Sequence, residues 1–136
     1  ESIMDDILTE LTGTILKVQL NRPVKKNAMT GAMYATLADV FKDANASDRV
    51  RVVLWHGPGD CFCSGNDVED LLKNPPGPGQ PPQESLMQGL LDFDKPLVAA
   101  VDGKSTISCR RGTSARPTSI RLCAGDRVCD GASWAI

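Results

Sequence analysis

Asp60-Cys61-Phe62-Cys63-Ser64-Gly65-Asn66-Asp67-Val68 follows directly on the apolar run Val50 to Trp55, and its order suits it to holding a ligand with main-chain amides. A strand that runs into a glycine-containing turn and then into a helix leaves N–H groups that no carbonyl of the same element can accept. Amides left in this way converge on an anion, or on an oxygen that gains negative charge during a reaction. Metal chemistry is the poorer use of the same stretch. Cys61, Cys63 and His56 offer C-x-C spacing with no second pair of good spacing, so ordinary reduced, partly buried thiols are expected rather than a zinc site. His56 and Trp55 close the apolar run and are expected in the core or at its rim.

The elements that must position this turn can be traced from periodicity. Thr14 to Leu20 alternates, with Leu16, Val18 and Leu20 on one face and Lys17 and Gln19 on the other, which predicts a strand with one wetter face. Thr30 can cap a helix with the apolar stripe Met33, Leu37, Val40, Phe41 and Ala44, while Asp39, Lys42 and Asp43 face water. Val50 to Trp55 is more continuously apolar, as in a strand covered on both faces, and Pro96 to Val101 has the same character. Strand, helix, strand in this order predicts a mostly parallel sheet with helical crossovers. Asn74 to Pro82 holds five prolines and two glycines and is expected to be an exposed, mobile loop. Leu86, Met87, Leu90, Leu91 and Phe93 then predict a short amphipathic helix leading to the Pro96 strand.

With 136 residues the chain is of common single-domain size. Its formal charge of -2 argues against a general nucleic-acid binder, which needs basic side chains to displace counterions. No stretch approaches the length of apolar sequence that a membrane helix requires, and the acidic start at Glu1 is unlike a basic leader. A soluble, intracellular, cytoplasmic protein is the expectation, with peroxisome or mitochondrion the alternatives in a eukaryote. The charge is unevenly spread: residues 1–103 carry 9 basic and 15 acidic side chains, net -6, and residues 104–136 carry 6 and 2, net +4. From Lys104 the pattern degrades, with Arg110, Arg111, Arg116, Arg121 and Arg127 among Ser and Thr and only five Leu, Ile or Val, which predicts weak order and a solvated basic tail.

Three blocks carry a resemblance. They are Leu20-Asn21-Arg22-Pro23-Val24-Lys25-Lys26-Asn27-Ala28-Met29, then Arg51 to Leu54 running into Cys61 to Val68, then Lys95-Pro96-Leu97-Val98-Ala99-Ala100-Val101-Asp102-Gly103. In this order they resemble the crotonase family of enoyl-CoA hydratases and isomerases over roughly residues 10 to 103, and Ser-Gly-Asn-Asp with Lys-Lys-Asn-Ala-Met looks most like the 3,2-enoyl-CoA isomerase branch. The resemblance implies an α/β fold, the N-terminal part of a crotonase-like ββα spiral on residues 1–103, with a Pro-rich loop at 74–82. Residues 104–136 are set apart as a weakly ordered or aberrant basic tail, of the kind left by a reading-frame shift or, alternatively, found in a truncated paralogue.

The implied activity is transfer of a 3-enoyl-CoA double bond to position 2 through a thioester enolate whose oxygen is held by main-chain N–H groups. Enoyl-CoA hydratase is an alternative, and so is a non-catalytic CoA-binding or partner-binding fragment. By the resemblance, the Ser64 N–H is one of two oxyanion donors. Cys63, Ser64, Gly65, Asn66 and Asp67 line the thioester end, with Gly65 allowing close backbone approach and Asp67 starting the next helix and shaping the acyl pocket. Lys25, Lys26, Asn27 and Ala28 line the CoA moiety, the lysines facing its phosphates. Coenzyme A is part of the substrate, so no separate cofactor is implied, and the partner is an acyl-CoA thioester rather than a nucleic acid or membrane.

After Gly103 the sequence leaves the family's pattern. The glycine that supplies the second donor is missing, no residue of 104–136 is a glutamate, and Ala124-Gly125-Asp126-Arg127 is only a displaced echo of a family segment. Family members are about twice as long and form trimers or hexamers through parts not matched here. With no general base found, turnover by this chain is expected to be very low or nil.

Overall fold

The computed structural model describes residues 6–57 and 61–100 in full and, after them, the backbone of Val101 and of five short strands. The chain starts with a hairpin of β1 (Ile7–Thr12) and β2 (Ile15–Leu20), turning at Gly13, whose φ of +62° suits glycine. α1 (Gly31–Ala46) then crosses to β3 (Val52–His56), which lies parallel to β2. Thr30 caps α1 as its position predicts, its hydroxyl accepting the Met33 N–H at 3.2 Å. The other end of the helix is closed from a distance: Lys95 Nζ donates to the Ala44 carbonyl at 2.7 Å and to that of Ser47, placing a cation against the negative end of the helix.

A second crossover contains β4 (Cys61–Cys63), the short α2 (Val68–Lys73) and α3 (Pro82–Leu91), and returns to β5 (Leu97–Val101), parallel to β3. Pro82, the last residue of the expected loop, is instead the first of α3, where its missing N–H has no intrahelical use. Leu91 departs from the expected apolar stripe, being 67% exposed at the end of α3, whereas Phe93 beyond the helix is buried. Among the strands up to β5, two escape the periodicity argument. β1 buries only Ile7, and β4 is three residues long inside a stretch that reads as a turn.

Later in the chain come β6 (Lys104–Ser105), β7 (Ser108–Arg110), β8 (Ile120–Ala124), β9 (Arg127–Cys129) and β10 (Ser133–Ala135). The main sheet runs β1-β2-β3-β5-β8-β9, with β8 parallel to β5 and Leu97 opposite Ile120, while β4 pairs with β6 in a small second sheet. Most of residues 104–136, the expected position of the second oxyanion donor after Gly103, and Asp60 lie outside the described residues.

The core lies on one face of the main sheet. Val18, Trp55 and the buried Ala99 are register neighbours across β2, β3 and β5, and Val18 and Trp55 join Leu20, Val53 and Leu97 in one buried cluster with Met33, Tyr34, Leu37 and Phe41 of α1 and Leu86 and Leu90 of α3. Edge-to-face ring pairs run through it: Phe41 to Phe93 at 6.0 Å, Phe41 to Trp55 at 5.4 Å and Trp55 to Phe62 of β4 at 5.4 Å. The expectation that β3 is covered on both faces holds for one. Val53 and Trp55 are buried, but Val52, Leu54 and His56 on the opposite face are half-buried. His56 has its pKa lowered by that burial and by Lys17. Among the described residues no helix is long and apolar enough to cross a membrane.

Candidate functional site

The loop after β2 and the turn after β4 are built as one unit. A short 3-10 helix at Pro23–Lys25 ends in two successive left-handed residues, Lys26 (φ 51°) and Asn27 (φ 55°), a conformation Asn tolerates better than most side chains. Asn27 is 1% exposed, and both ends of its amide are used: Oδ1 accepts the Arg22 N–H at 2.8 Å, and Nδ2 donates to the Cys61 carbonyl at 2.8 Å. Arg22 ties the same two segments with its guanidinium, donating to the Ala28 carbonyl at 2.9 Å and to Asp67 Oδ2 at 2.7 Å. Gly57 at the end of β3 leaves room for this. A Cβ there would stand 2.9 Å from the Phe62 carbonyl oxygen and 3.0 Å from Asn27 Nδ2. Gly57→Ala is therefore expected to destabilise the fold by about 1–3 kcal/mol, read from the urea midpoint, since the obstacle is backbone that cannot rotate away.

Main-chain bonds then account for the amides of the turn one by one. Ser64 N–H donates to the Lys26 carbonyl at 3.1 Å, and Asp67 N–H to that of Met29 at 2.9 Å. Gly65 N–H points at Cys63 Sγ at 3.4 Å, and the Gly65 carbonyl accepts the Met29 N–H at 2.8 Å. Asn66 N–H alone of these has no partner among the described residues. Its direction follows from peptide geometry: the Gly65–Asn66 peptide is trans, so with its carbonyl toward Met29 its N–H lies on the opposite side, away from the Arg22–Met29 loop. Gly65 permits this with a φ of +107°, which side-chain-bearing residues rarely adopt.

Carboxylates follow the turn closely, and each is engaged. Asp67 caps α2, accepting the Asp70 N–H at 3.1 Å, and its pKa is lowered by the Arg22 hydrogen bond first and by that N–H second. Glu69 is held below its ordinary pKa by Lys73 at 2.6 Å, with a weaker contribution from Lys25 at 3.7 Å. Asp70 accepts the Gly31 N–H and the Asn74 side chain. Because Asp67 titrates lower when folded than unfolded, its stabilisation is complete above the free pKa of about 3.9 and is lost as pH falls through the lowered native value. Asp67→Asn is expected to cost about 2 kcal/mol at neutral pH and to flatten the loss of stability below about pH 4, seen in urea midpoints against pH.

Residues 10–108 match the family model described as enoyl-CoA hydratase/isomerase. The chain belongs to this family. It is 32% identical over 108 residues to 1,2-epoxyphenylacetyl-CoA isomerase of Escherichia coli K12, a match covering 74% of this chain and 41% of that protein. It is 35% identical over 103 residues to enoyl-CoA delta isomerase 2 of Rattus norvegicus, covering 71% and 26%. Among solved structures, OdaA of Pseudomonas aeruginosa superposes with a TM-score of 0.68 at 43% identity, over 73% of this chain and 40% of that one. The chain thus spans between a quarter and about two fifths of the length of these relatives.

Of the residues singled out in the sequence, the structure joins Lys25 and Lys26 to Ser64 through their carbonyls, and Asn27 to the Cys61 carbonyl. Lys25 and Lys26 are exposed, with Lys25 beside Glu69. Asn27 is buried with both ends of its amide bonded within the protein, and Ala28 is half-buried with its carbonyl taken by Arg22. Cys63 is buried, and Ser64 is exposed with its hydroxyl directed to the Lys25 carbonyl at 3.4 Å. The Ser64 amide, expected to be an oxyanion donor, donates to the Lys26 carbonyl, and the amide of the turn with no partner among the described residues is that of Asn66. Arg22 and Tyr34 were missed. Arg22 stood inside a quoted block without a role, and Tyr34 adjoins the stripe of α1, three residues before Leu37 and seven before Phe41.

Proposed function

We propose that this chain is the thioester-receiving part of an enoyl-CoA isomerase acting on 3-enoyl-CoA, with the Asn66 N–H as the donor to the thioester oxygen. The observation that carries the proposal is that Asn66 N–H has no partner among the described residues, at an exposed position in a turn whose other amides are bonded. Removing a proton next to a thioester carbonyl places negative charge on its oxygen. A fixed N–H aimed there stabilises the enolate more than the ground state, and one such donor is worth about 3 kcal/mol in comparable sites. Lys25 and Lys26, exposed on the adjoining loop, suit the phosphates of CoA as mobile point charges. The Ser64-Gly65-Asn66-Asp67 and Lys25 to Met29 blocks support the isomerase branch. Hydration of 2-enoyl-CoA is the second reading, since the matching family covers both reactions.

Binding without turnover is the expectation for the chain by itself. Asp67, Glu69 and Asp70 are each held by cations or amides, and none stands free to carry a proton between carbons 2 and 4. The test is to mix the purified chain with 3-enoyl-CoA and with 2-enoyl-CoA, measuring binding by calorimetry and turnover by absorbance. Binding of both with negligible turnover agrees with the proposal. Rapid conversion of either overturns the binding-only part, and absence of binding overturns the whole.

A further inference from the structure

Tyr34 has a polar group in the core and so far no role. It is 1% exposed on α1, and its hydroxyl donates to Asn66 Oδ1 at 2.6 Å, across 32 residues of sequence. Phenylalanine would fill the same space without a buried hydroxyl to satisfy, so the oxygen matters for what it holds. What it holds is the residue whose amide has no partner among the described residues.

We propose that Tyr34 is a positioning residue: its hydroxyl occupies Asn66 Oδ1 and so keeps the Asn66 main-chain N–H presented to a thioester oxygen. The proposal rests on the role given to Asn66 above and adds the device that maintains it. Asn side chains readily bend back to accept main-chain N–H groups near their own position, forming Asx turns. In a turn whose value is an open amide, a loose Oδ1 is an internal competitor that remodels the peptide planes around it. Three ties remove that freedom. Met29 N–H fixes the plane before Asn66 through the Gly65 carbonyl, Asp67 N–H fixes the plane after it through the Met29 carbonyl, and Tyr34 fixes the side chain between them. Burial, with a smaller contribution from Cys63, pushes the Tyr34 hydroxyl up to about 12, so it remains a donor throughout the neutral range.

The test compares a saturated acyl-CoA thioester with its thioether analogue, which lacks the carbonyl, on the wild-type chain, Tyr34→Phe and Asn66→Ala. Asn66→Ala keeps the amide and deletes the acceptor at an exposed position, which guards against a Tyr34→Phe protein that folds poorly. The readouts are affinity and the isotope-edited infrared band of the bound thioester carbonyl. In the wild type the band is expected to move to lower frequency. In Tyr34→Phe most of that movement is lost and thioester affinity falls roughly tenfold, as for one hydrogen bond, while thioether affinity is unchanged; Asn66→Ala, with no Oδ1 left to compete, keeps the wild-type movement. A band shift in Tyr34→Phe equal to that of the wild type, or loss of the shift in Asn66→Ala, overturns the role of Tyr34 and leaves Asn66 in place. A wild-type protein that binds both ligands with no band shift overturns the role of Asn66 itself. Equal loss of thioester and thioether binding in the variants marks a merely structural tyrosine and also overturns the proposal.

Discussion

Asn27→Ala is expected to destabilise the protein by about 3–4 kcal/mol, a large part of the roughly 5–15 kcal/mol that holds a domain of this kind together. Two main-chain groups lose their partners at once, the part-buried Arg22 N–H and the buried Cys61 carbonyl. Each costs about 1–2 kcal/mol when left unpaired away from water. The backbone adds to this, because φ at residue 27 is 55°, where Ala is strained by about 1 kcal/mol and Asn is tolerated. Asn27→Gly separates the contributions: it loses the same side-chain bonds without the strain and is expected to be the milder variant by about 1 kcal/mol. Urea unfolding followed by circular dichroism measures both. If Asn27→Ala unfolds at the wild-type midpoint, Asn27 does not fasten the loop to β4.

Phe41→Ala is expected to cost about 3–5 kcal/mol by the same measurement. Phe41 is fully buried and lies between Trp55 of the sheet and Phe93 after α3, and Trp55 in turn meets Phe62 of β4. A cavity at residue 41 therefore loosens the row of rings on which the strand before the turn rests. Phe41→Leu, which refills most of the volume, is expected to lose less than about 1.5 kcal/mol. Similar losses for the two variants would show that the site collapses freely and that ring packing there contributes little.

The parts of the fold that were legible in the sequence are those whose burial repeats along the chain. β2 and α1 show their periods because a single face of each is buried, with Val18 and Leu20 on one and Met33, Leu37 and Phe41 on the other. β5 was legible as a short apolar run between Pro96 and Asp102. β1 was not, because five of its six residues are exposed and leave no apolar alternation to read. β4 is too short for a period, and Cys-Phe-Cys beside a glycine reads as turn. The site divides the same way. The blocks around Arg22–Met29 and Cys61–Val68 located it, but which amide is open depends on the pairing of Lys26 and Met29 with Ser64 and Asp67. Those contacts join residues 38 apart in sequence, and only an accounting of three-dimensional hydrogen bonds reveals them. Asn27 looked like a ligand contact because an Asn beside two lysines in a loop carries no mark of burial.

The central claim is that the Asn66 amide is the one that meets the thioester oxygen. Proton–nitrogen correlation spectra of the labelled chain, recorded as an acyl-CoA thioester and then its thioether analogue are added, test it most directly. The account predicts that the Asn66 amide proton moves downfield with the thioester and not with the thioether, while the Ser64 amide, bonded to Lys26, stays in place with both. A downfield shift at Ser64 with Asn66 unmoved, or no thioester-specific shift at either residue, would contradict it.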